Sequence, residues 1–155
     1  MIHSNADNSM RIVFEAKSVN EAFARMVVAG FVMELDPTME EIDDIKTAVS
    51  EAVTNAIIHG EAKEVEMFCS YTERELTVEI IDKGVGIENV QQAMEPFYTT
   101  KPEMERSGMG FAFMEAFMDK VEVESKVGEG TTVHMWKAFR EHSLLKASEY
   151  SCSRG

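Results

Sequence analysis

The sequence has few cysteines and no long apolar run, and both absences narrow the possible classes of protein. Only two of its 155 residues are cysteines, so no disulfide framework of the kind that staples small secreted domains is indicated. No run of about 18 apolar residues occurs, which argues against a transmembrane helix. The first residues are polar and lack the apolar centre of a signal peptide. We therefore expect a soluble cytoplasmic protein with no membrane contact.

Basic residues are also scarce, with 15 Lys and Arg against 28 Asp and Glu, and the net charge is −13. A protein that binds nucleic acid directly normally presents a basic stripe to the phosphates, so direct nucleic-acid binding is not expected. The acidic charge does permit electrostatically steered docking onto a basic protein surface. A chain of this length is most simply one domain.

Apolar periodicity predicts the order strand, two helices, two strands, loop, helix and two strands. The expected strands are 11–16, 64–72, 75–82, 121–125 and 131–138, the last two forming a hairpin around Gly128 and Gly130. The expected helices are 18–35, 38–60, a short helix 90–94 and 108–119. Capping boxes at Ser18 and Thr38 open the first two of these helices. Residues 95–107 are expected to be a loop. This order predicts an α+β fold, a two-layer α/β sandwich with helices on one face of a mixed sheet.

Two separated glycine signatures carry the chemistry. The first, Asp82-Lys83-Gly84-Val85-Gly86-Ile87, places one carboxylate in a tight turn after a strand. The second, Ser107-Gly108-Met109-Gly110-Phe111, lies where a loop becomes a helix, and free N–H groups at such a helix start can hold phosphate. An acid before Gly-x-Gly is by itself usually only a turn. Together the two signatures predict a nucleotide pocket with an acid at the base end.

A pair of polar residues on the second long helix strengthens this prediction. Glu51 and Asn55 stand one turn apart, away from the apolar stripe of the same helix. Alone, such a pair describes a solvated helix face. In sequence order with the glycine signatures, Asn55 becomes a candidate Mg²⁺ ligand and Glu51 a candidate catalytic base, because Mg²⁺ takes amide and phosphate oxygens and keeps several waters.

The order E-x-x-x-N, D-x-G-x-G, T-T-K and G-x-G resembles the Bergerat ATP-binding fold shared by gyrase, Hsp90, histidine kinases and MutL. Within that superfamily the chain is most similar to bacterial anti-sigma factor serine kinases, closest to those of the sporulation anti-sigma-F type. The resemblance covers residues 10–139 and is carried by the runs 20–25, 35–39, 50–60 and 97–111. Residues 1–9 are then expected to be a leader, and residues 140–155 a flexible tail.

For the base end, the resemblance implies ATP as the nucleotide and Asp82 as the acceptor for the adenine amino group. Gly84 and Gly86 are expected to adopt positive φ and to let the backbone approach the ring. Thr131 matches a family threonine that supports the acid and a bound water.

For the phosphate end, the resemblance implies that Asn55 coordinates Mg²⁺ and that Glu51 removes the proton of an acceptor serine. Lys101 and Arg106 are candidate counter-charges for the phosphates. The remaining candidate phosphate-binding residues are Thr100, Ser107, Gly108, Met109 and Gly110. His59, one turn beyond Asn55, is expected to be a packing residue at the helix end.

The resemblance also implies partners: a sigma factor, an anti-anti-sigma protein that carries the acceptor serine, and a second copy of the chain docked through the first strand and helix. Arg25 matches the family arginine that contacts both protein partners. On the first helix we expect it to be exposed, off a core stripe formed by Ala22, Phe23, Val27, Gly30 and Phe31. From composition alone, Arg25 would simply pair with Glu21 one turn before it.

Three alternatives stay open. A histidine kinase catalytic domain shares the Thr-Thr-Lys motif, but it needs a helical hairpin bearing an acceptor histidine. None of the four histidines, His3, His59, His134 and His142, lies in such a predicted segment. The other two alternatives are a nucleotide-dependent binding module without phosphotransfer and a stress-response anti-sigma kinase.

Overall fold

A computed structural model of the protein describes residues 5–95 and 110–141. The strands are β1 (Asn8–Glu15), β2 (Glu64–Thr72), β3 (Glu75–Asp82), β4 (Lys120–Lys126) and β5 (Gly130–Ala138). The helices are α1 (Val19–Phe31), continued by a 3₁₀ turn (Val32–Leu35), then α2 (Met39–His59), α3 (Val90–Ala93) and α4 (Gly110–Phe117). The predicted α+β class and the predicted order of helices and strands are confirmed, whereas the predicted loop 95–107, apart from its first residue, lies outside the described residues.

The five strands form one sheet in the order β1-β2-β3-β5-β4, and every pairing is antiparallel. The predicted mixed sheet is therefore wrong. Strand β4 does run parallel to β3, as expected for strands joined by a helix. However, β5 lies between them and hydrogen-bonds to both, so no parallel pair forms among the described strands. This register sets Asp82 at the end of β3 opposite Thr131 at the start of β5.

One face of the sheet is covered by the helices and forms the core. Along β3 the inward positions Leu76, Val78 and Ile80 are buried, and the same alternation makes Asp82 the last inward-facing residue of the strand. Cys69, in the middle of β2, is also buried, and burial raises the pKa of its thiol to about 12. This cysteine is a small core residue, as its place in the strand pattern predicts.

The two capping boxes have different outcomes. At α2 the box is confirmed, because Glu41 N donates to Thr38 Oγ1 at 3.1 Å and Thr38 N donates to Glu41 Oε1 at 2.9 Å. At α1 it is wrong, because Ser18 has helical backbone angles and its side chain caps nothing. Glu21, the residue expected to complete that box, instead accepts a hydrogen bond from Ser50 of α2.

The core stripe of α1 also differs from the prediction. Ala24, Val28 and Val32 are fully buried, whereas Phe23 is 52% exposed. Helix α1 is apolar on two sides, and periodicity alone could not tell which side faces α2. The other side, continued into the 3₁₀ turn that follows, forms an exposed apolar stripe, which we call the α1 stripe: Val19, Phe23, Met26 and Met33.

No helix within the described residues is both long and apolar enough to span a membrane.

Candidate functional site

A cavity of about 1070 Å³ lies beside the middle and C-terminal part of α2 and the end of the sheet where β3 and β5 meet. Small-molecule sites are typically clefts of several hundred cubic ångströms, so this cavity is large enough for a nucleotide. Of the predicted site residues, it brings together Asn55, Asp82, Gly86, Gly110 and Thr131. The two predicted ends of the pocket therefore belong to one cavity.

Asp82 is the acid of this cavity. The residue is 6% exposed, and its Oδ1 accepts a hydrogen bond from Gly84 N at 3.1 Å. Burial raises the pKa of this carboxyl, while backbone N–H groups of Gly84 and Thr131 act in the opposite direction. A buried carboxylate that keeps unused acceptor capacity toward a cavity is suited to a ligand that donates a hydrogen bond.

The two glycines after Asp82 have different functions. Gly86 lines the cavity with φ of +76°, as predicted. The positive φ expected at Gly84 is wrong, and the reason for a glycine there is steric. A Cβ on Gly84 would fall 1.6 Å from the carbonyl oxygen of Gly60, which also accepts a hydrogen bond from Val85 N at 2.8 Å. Gly60 at the end of α2 was not identified from the sequence, because nothing local marks this contact.

Ser125 is a second residue that sequence reasoning missed. Its hydroxyl accepts a hydrogen bond from Ile87 N at 2.7 Å and lies 2.7 Å from the hydroxyl of Thr131. A signal was present, since Ser125 follows the inward-facing Val121 and Val123 of β4 and so places a polar group on the buried side of the sheet.

At the other end of the cavity, the first residue of α4 meets the polar pair of α2. A Cβ on Gly110 would lie 3.1 Å from Asn55 Nδ2 and 3.3 Å from Glu51 Oε2. Any side chain at this position would press on both polar groups, which would have to shift by a few tenths of an ångström. The arrangement places a half-buried carboxylate and an amide next to the first residue of α4.

The donor set at this end fits Mg²⁺ shared with a nucleotide. Within the described ranges, no group of three or more His, Cys, Asp or Glu residues could hold a metal by itself. Asn55 lines the cavity and offers one amide oxygen. Mg²⁺ usually takes one or two protein ligands and completes its shell with phosphate oxygens and water.

The remaining predicted residues are Arg25, His59 and the candidates of the phosphate loop. Arg25 is on α1, outside the cavity lining, with its side chain 41% exposed and its Nε 3.4 Å from Glu21 Oε1. His59 lines the cavity, so the expectation that it only packs at the helix end is incomplete. The phosphate-loop candidates outside the described residues are Thr100, Lys101, Arg106, Ser107, Gly108 and Met109.

Comparisons with known proteins identify the domain and its relatives. Residues 14–137 match the model of the histidine kinase-like ATPase domain. The anti-sigma F factor of Clostridium acetobutylicum is 59% identical over 136 residues, covering 86% of this chain and 95% of the relative. That of Clostridium kluyveri is 57% identical over 140 residues, covering 88% of this chain and 99% of the relative.

Solved structures support the same fold. The RsbU and RsbW domains of a Mycobacterium tuberculosis protein match with a TM-score of 0.63 at 18% identity, covering 86% of this chain and 33% of that one. ShkA, solved in complex with AMPPNP, matches with a TM-score of 0.54 at 16% identity, covering 83% of this chain and 32% of that one. On the sequence matches, this chain belongs to the anti-sigma F factor family, built on a histidine kinase-like ATPase domain.

Proposed function

We propose that this protein sequesters a sporulation sigma factor and uses ATP with Mg²⁺ to phosphorylate a serine of an anti-anti-sigma protein. The proposal is carried by one observation, the arrangement of polar residues in the cavity. The buried Asp82 lies at one end of the cavity. At the other end Asn55 and Glu51 lie next to Gly110. The identity to anti-sigma F factors supports the choice of partners, and the cytoplasm, where sigma factors act, is the proposed location.

The base end favours adenine. Asp82 is an acceptor when ionised, and the adenine amino group is a donor at the corresponding position, whereas guanine presents a carbonyl there. Gly86 lines the cavity with a positive φ, and a Cβ there would fall 2.3 Å from the Lys126 carbonyl oxygen, so glycine lets this turn pack against the β4–β5 hairpin. A neutral acceptor would bind less well than a carboxylate, because hydrogen bonds to charged groups are stronger.

The phosphate end provides a base and a site for charge neutralisation. Asn55 would hold Mg²⁺, which when bound neutralises charge on the phosphates. Glu51, one turn from Asn55, is proposed to accept the proton of the serine hydroxyl while the serine oxygen bonds to the terminal phosphorus of ATP, the bond from that phosphorus to ADP breaks, and ADP leaves. Backbone N–H groups at the start of α4 are proposed to orient phosphate oxygens, as helix N-termini do for anions.

The partner surfaces are proposed on α1. Arg25 is partly exposed there, and arginine is enriched among residues that dominate binding energy at interfaces. The α1 stripe is proposed as the contact with a second copy of the chain, since a row of exposed large apolar residues on one helix is unfavourable in water.

The test incubates the protein with γ-labelled ATP, Mg²⁺ and candidate anti-anti-sigma proteins, followed by mapping of the phosphorylated residue. We expect the parent protein to place label on a serine of the partner, and we expect the Glu51→Gln variant to lose this labelling. Label on a histidine of this chain would make it a histidine kinase, and ATP binding without transfer would make it a binding module. Capture of purified sporulation and stress-response sigma factors separates the two anti-sigma alternatives.

A further inference from the structure

Lys137 is a buried lysine that the proposed function does not use. It is the last inward-facing residue of β5, at the end of the strand away from Thr131 and the cavity. We infer that Lys137 is a positioning residue, which ties the last turn of α4 to α2 and so holds Gly110, the first residue of α4, in place at the phosphate end. The inference rests on the proposed binding of ATP with Mg²⁺.

Two oxygens, from two different helices, lie next to the Lys137 side chain. Its Nζ donates to the carbonyl oxygen of Phe117 at 2.8 Å and lies 3.6 Å from Asp44 Oδ2. Phe117 is the last residue of α4, and Asp44 is in the first half of α2. One side chain of the sheet therefore joins the end of one helix to the flank of another.

The end of α4 favours such a partner, because the last carbonyl groups of a helix have no partner within it and carry partial negative charge. Helix α4 has no basic residue in its own last turn, so Lys137 supplies this contact from β5. After the helix, Asp119 N donates to the carbonyl oxygen of Trp136 at 2.9 Å, and Asp119 Oδ2 accepts from Ala138 N at 2.7 Å. These bonds fix the end of α4 to the sheet, and the Lys137–Asp44 pair fixes it to α2.

The two ends of α4 contact α2 at matching positions. Gly110 lies beside Glu51, and Phe117 is joined through Lys137 to Asp44. On each helix the two contact points are about 10 Å apart, at 1.5 Å per residue. The helices are therefore antiparallel, and Lys137 fixes the end of α4 that is farther from the cavity.

A tilt of α4 would change the phosphate end directly. A Cβ on Gly110 would lie 3.1 Å from Asn55 Nδ2, so the start of the helix and this amide are in close contact. A short helix moves as a rigid rod, so loss of its far connection shifts Gly110 relative to Asn55. We therefore expect Lys137 to affect the binding of phosphates and not the binding of the base at Asp82.

The test measures binding of ATP with Mg²⁺ and of adenosine, by calorimetry at a temperature well below melting. Adenosine keeps the base and lacks the phosphates, so it reports on the Asp82 end alone. Lys137→Met keeps a side chain of similar length and removes the donor. We expect this variant to bind ATP about tenfold more weakly than the parent, the value of one hydrogen bond, and to bind adenosine as the parent does.

Two further variants keep the test decisive. Asp44→Asn removes the charge on α2 from a side chain that is 25% exposed, so it should fold even if Lys137→Met folds poorly. It should lower the ratio of ATP affinity to adenosine affinity in the same direction, by about threefold. Lys17→Met breaks an exposed lysine–glutamate pair between β1 and α1, far along the chain from α4, and should keep the parent ratio.

Equal loss of ATP and adenosine affinity in Lys137→Met, or a parental ratio in both Lys137→Met and Asp44→Asn, would overturn the inference, since Lys137 would then only stabilise the fold. Failure of the parent protein to bind ATP at all would instead overturn the proposed function, and this inference with it.

Discussion

Gly84 is packed against Gly60 so closely that a Cβ on Gly84 would fall 1.6 Å from the Gly60 carbonyl oxygen. The same carbonyl accepts a hydrogen bond from Val85 N at 2.8 Å. This contact and this hydrogen bond hold the C-terminal end of α2 against the turn after Asp82. Asn55 lies on α2 before Gly60, so the position of Asp82 relative to Asn55 depends on this contact between two backbones.

The first prediction tests that contact. Gly84→Ala forces a backbone displacement, and overpacking of this kind costs about 1–3 kcal/mol in the free energy of unfolding. Gly30→Ala is the matched control, because nothing lies within 4 Å of its added methyl group and it is in a helix, where alanine is favoured. Urea denaturation should show a lower free energy of unfolding for Gly84→Ala and no decrease for Gly30→Ala. Equal stability of the two variants would contradict the packing argument.

The second prediction concerns base recognition. Asp82→Asn keeps the shape of the side chain but can turn a donor toward the adenine amino group, and an unmatched buried polar contact costs about 1–3 kcal/mol. Calorimetry should therefore show ATP affinity reduced about tenfold or more in a folded variant. Unchanged affinity would remove Asp82 from base recognition.

The third prediction follows from the burial of Asp82, which raises the pKa of its carboxyl above the usual 3.8. The folded chain then binds this proton more tightly than the unfolded chain, so the carboxyl lowers stability as the pH rises from about 3.8 through the folded pKa. Without nucleotide, Asp82→Asn should be more stable than the parent at neutral pH. The difference in melting temperature should shrink as the pH falls toward 3.8, and a difference independent of pH would contradict the prediction.

The fourth prediction separates the two residues of α2. Glu51→Gln should retain binding of ATP with Mg²⁺ and lose a factor of about 10²–10⁴ in the rate of phosphoryl transfer. Asn55→Ala should weaken both binding and transfer, because the proposed metal ligand is lost. Single-turnover phosphorylation of the anti-anti-sigma protein measures the rate, and a parental rate for Glu51→Gln would exclude it as the base.

The fifth prediction concerns Arg25. Its ion pair with Glu21 is partly exposed and contributes only about 0.2–0.5 kcal/mol, so Arg25→Glu should leave the melting temperature and ATP affinity nearly unchanged. We expect it to weaken binding of the sigma factor and of the anti-anti-sigma protein together. Arg11→Glu, which also breaks an exposed arginine–glutamate pair, is the control on β1. If Arg25→Glu still binds both partners, the binding surface lies elsewhere on the protein.

Local patterns predicted the parts of the fold that depend on neighbouring residues. The bounds of β2 and β3 agree with the alternation of apolar residues, and the Thr38 cap follows from Glu41 three residues later. The cavity residues Asn55, Asp82 and Gly110 were found because each belongs to a short motif on one element.

Contacts between distant parts of the chain could not be predicted in the same way. The partner of Glu21 is Ser50, on another helix, so the capping box at Ser18 was a false local signal. The contact of Gly60 with Gly84 and the cluster around Ser125 join different elements. The antiparallel sheet depends on where β5 inserts, which the order of elements leaves open.

The place of β5 in the sheet has a consequence for the order of folding. It is the last of the five strands in the sequence, yet it lies at an interior position and covers the edge of β3. During synthesis, β3 keeps an unpaired edge, and Asp82 lacks its neighbour Thr131, until β5 has left the ribosome. The first four strands cannot complete the sheet, so the end of the cavity at Asp82 forms among the last parts of the molecule, after pairing between segments far apart in the sequence.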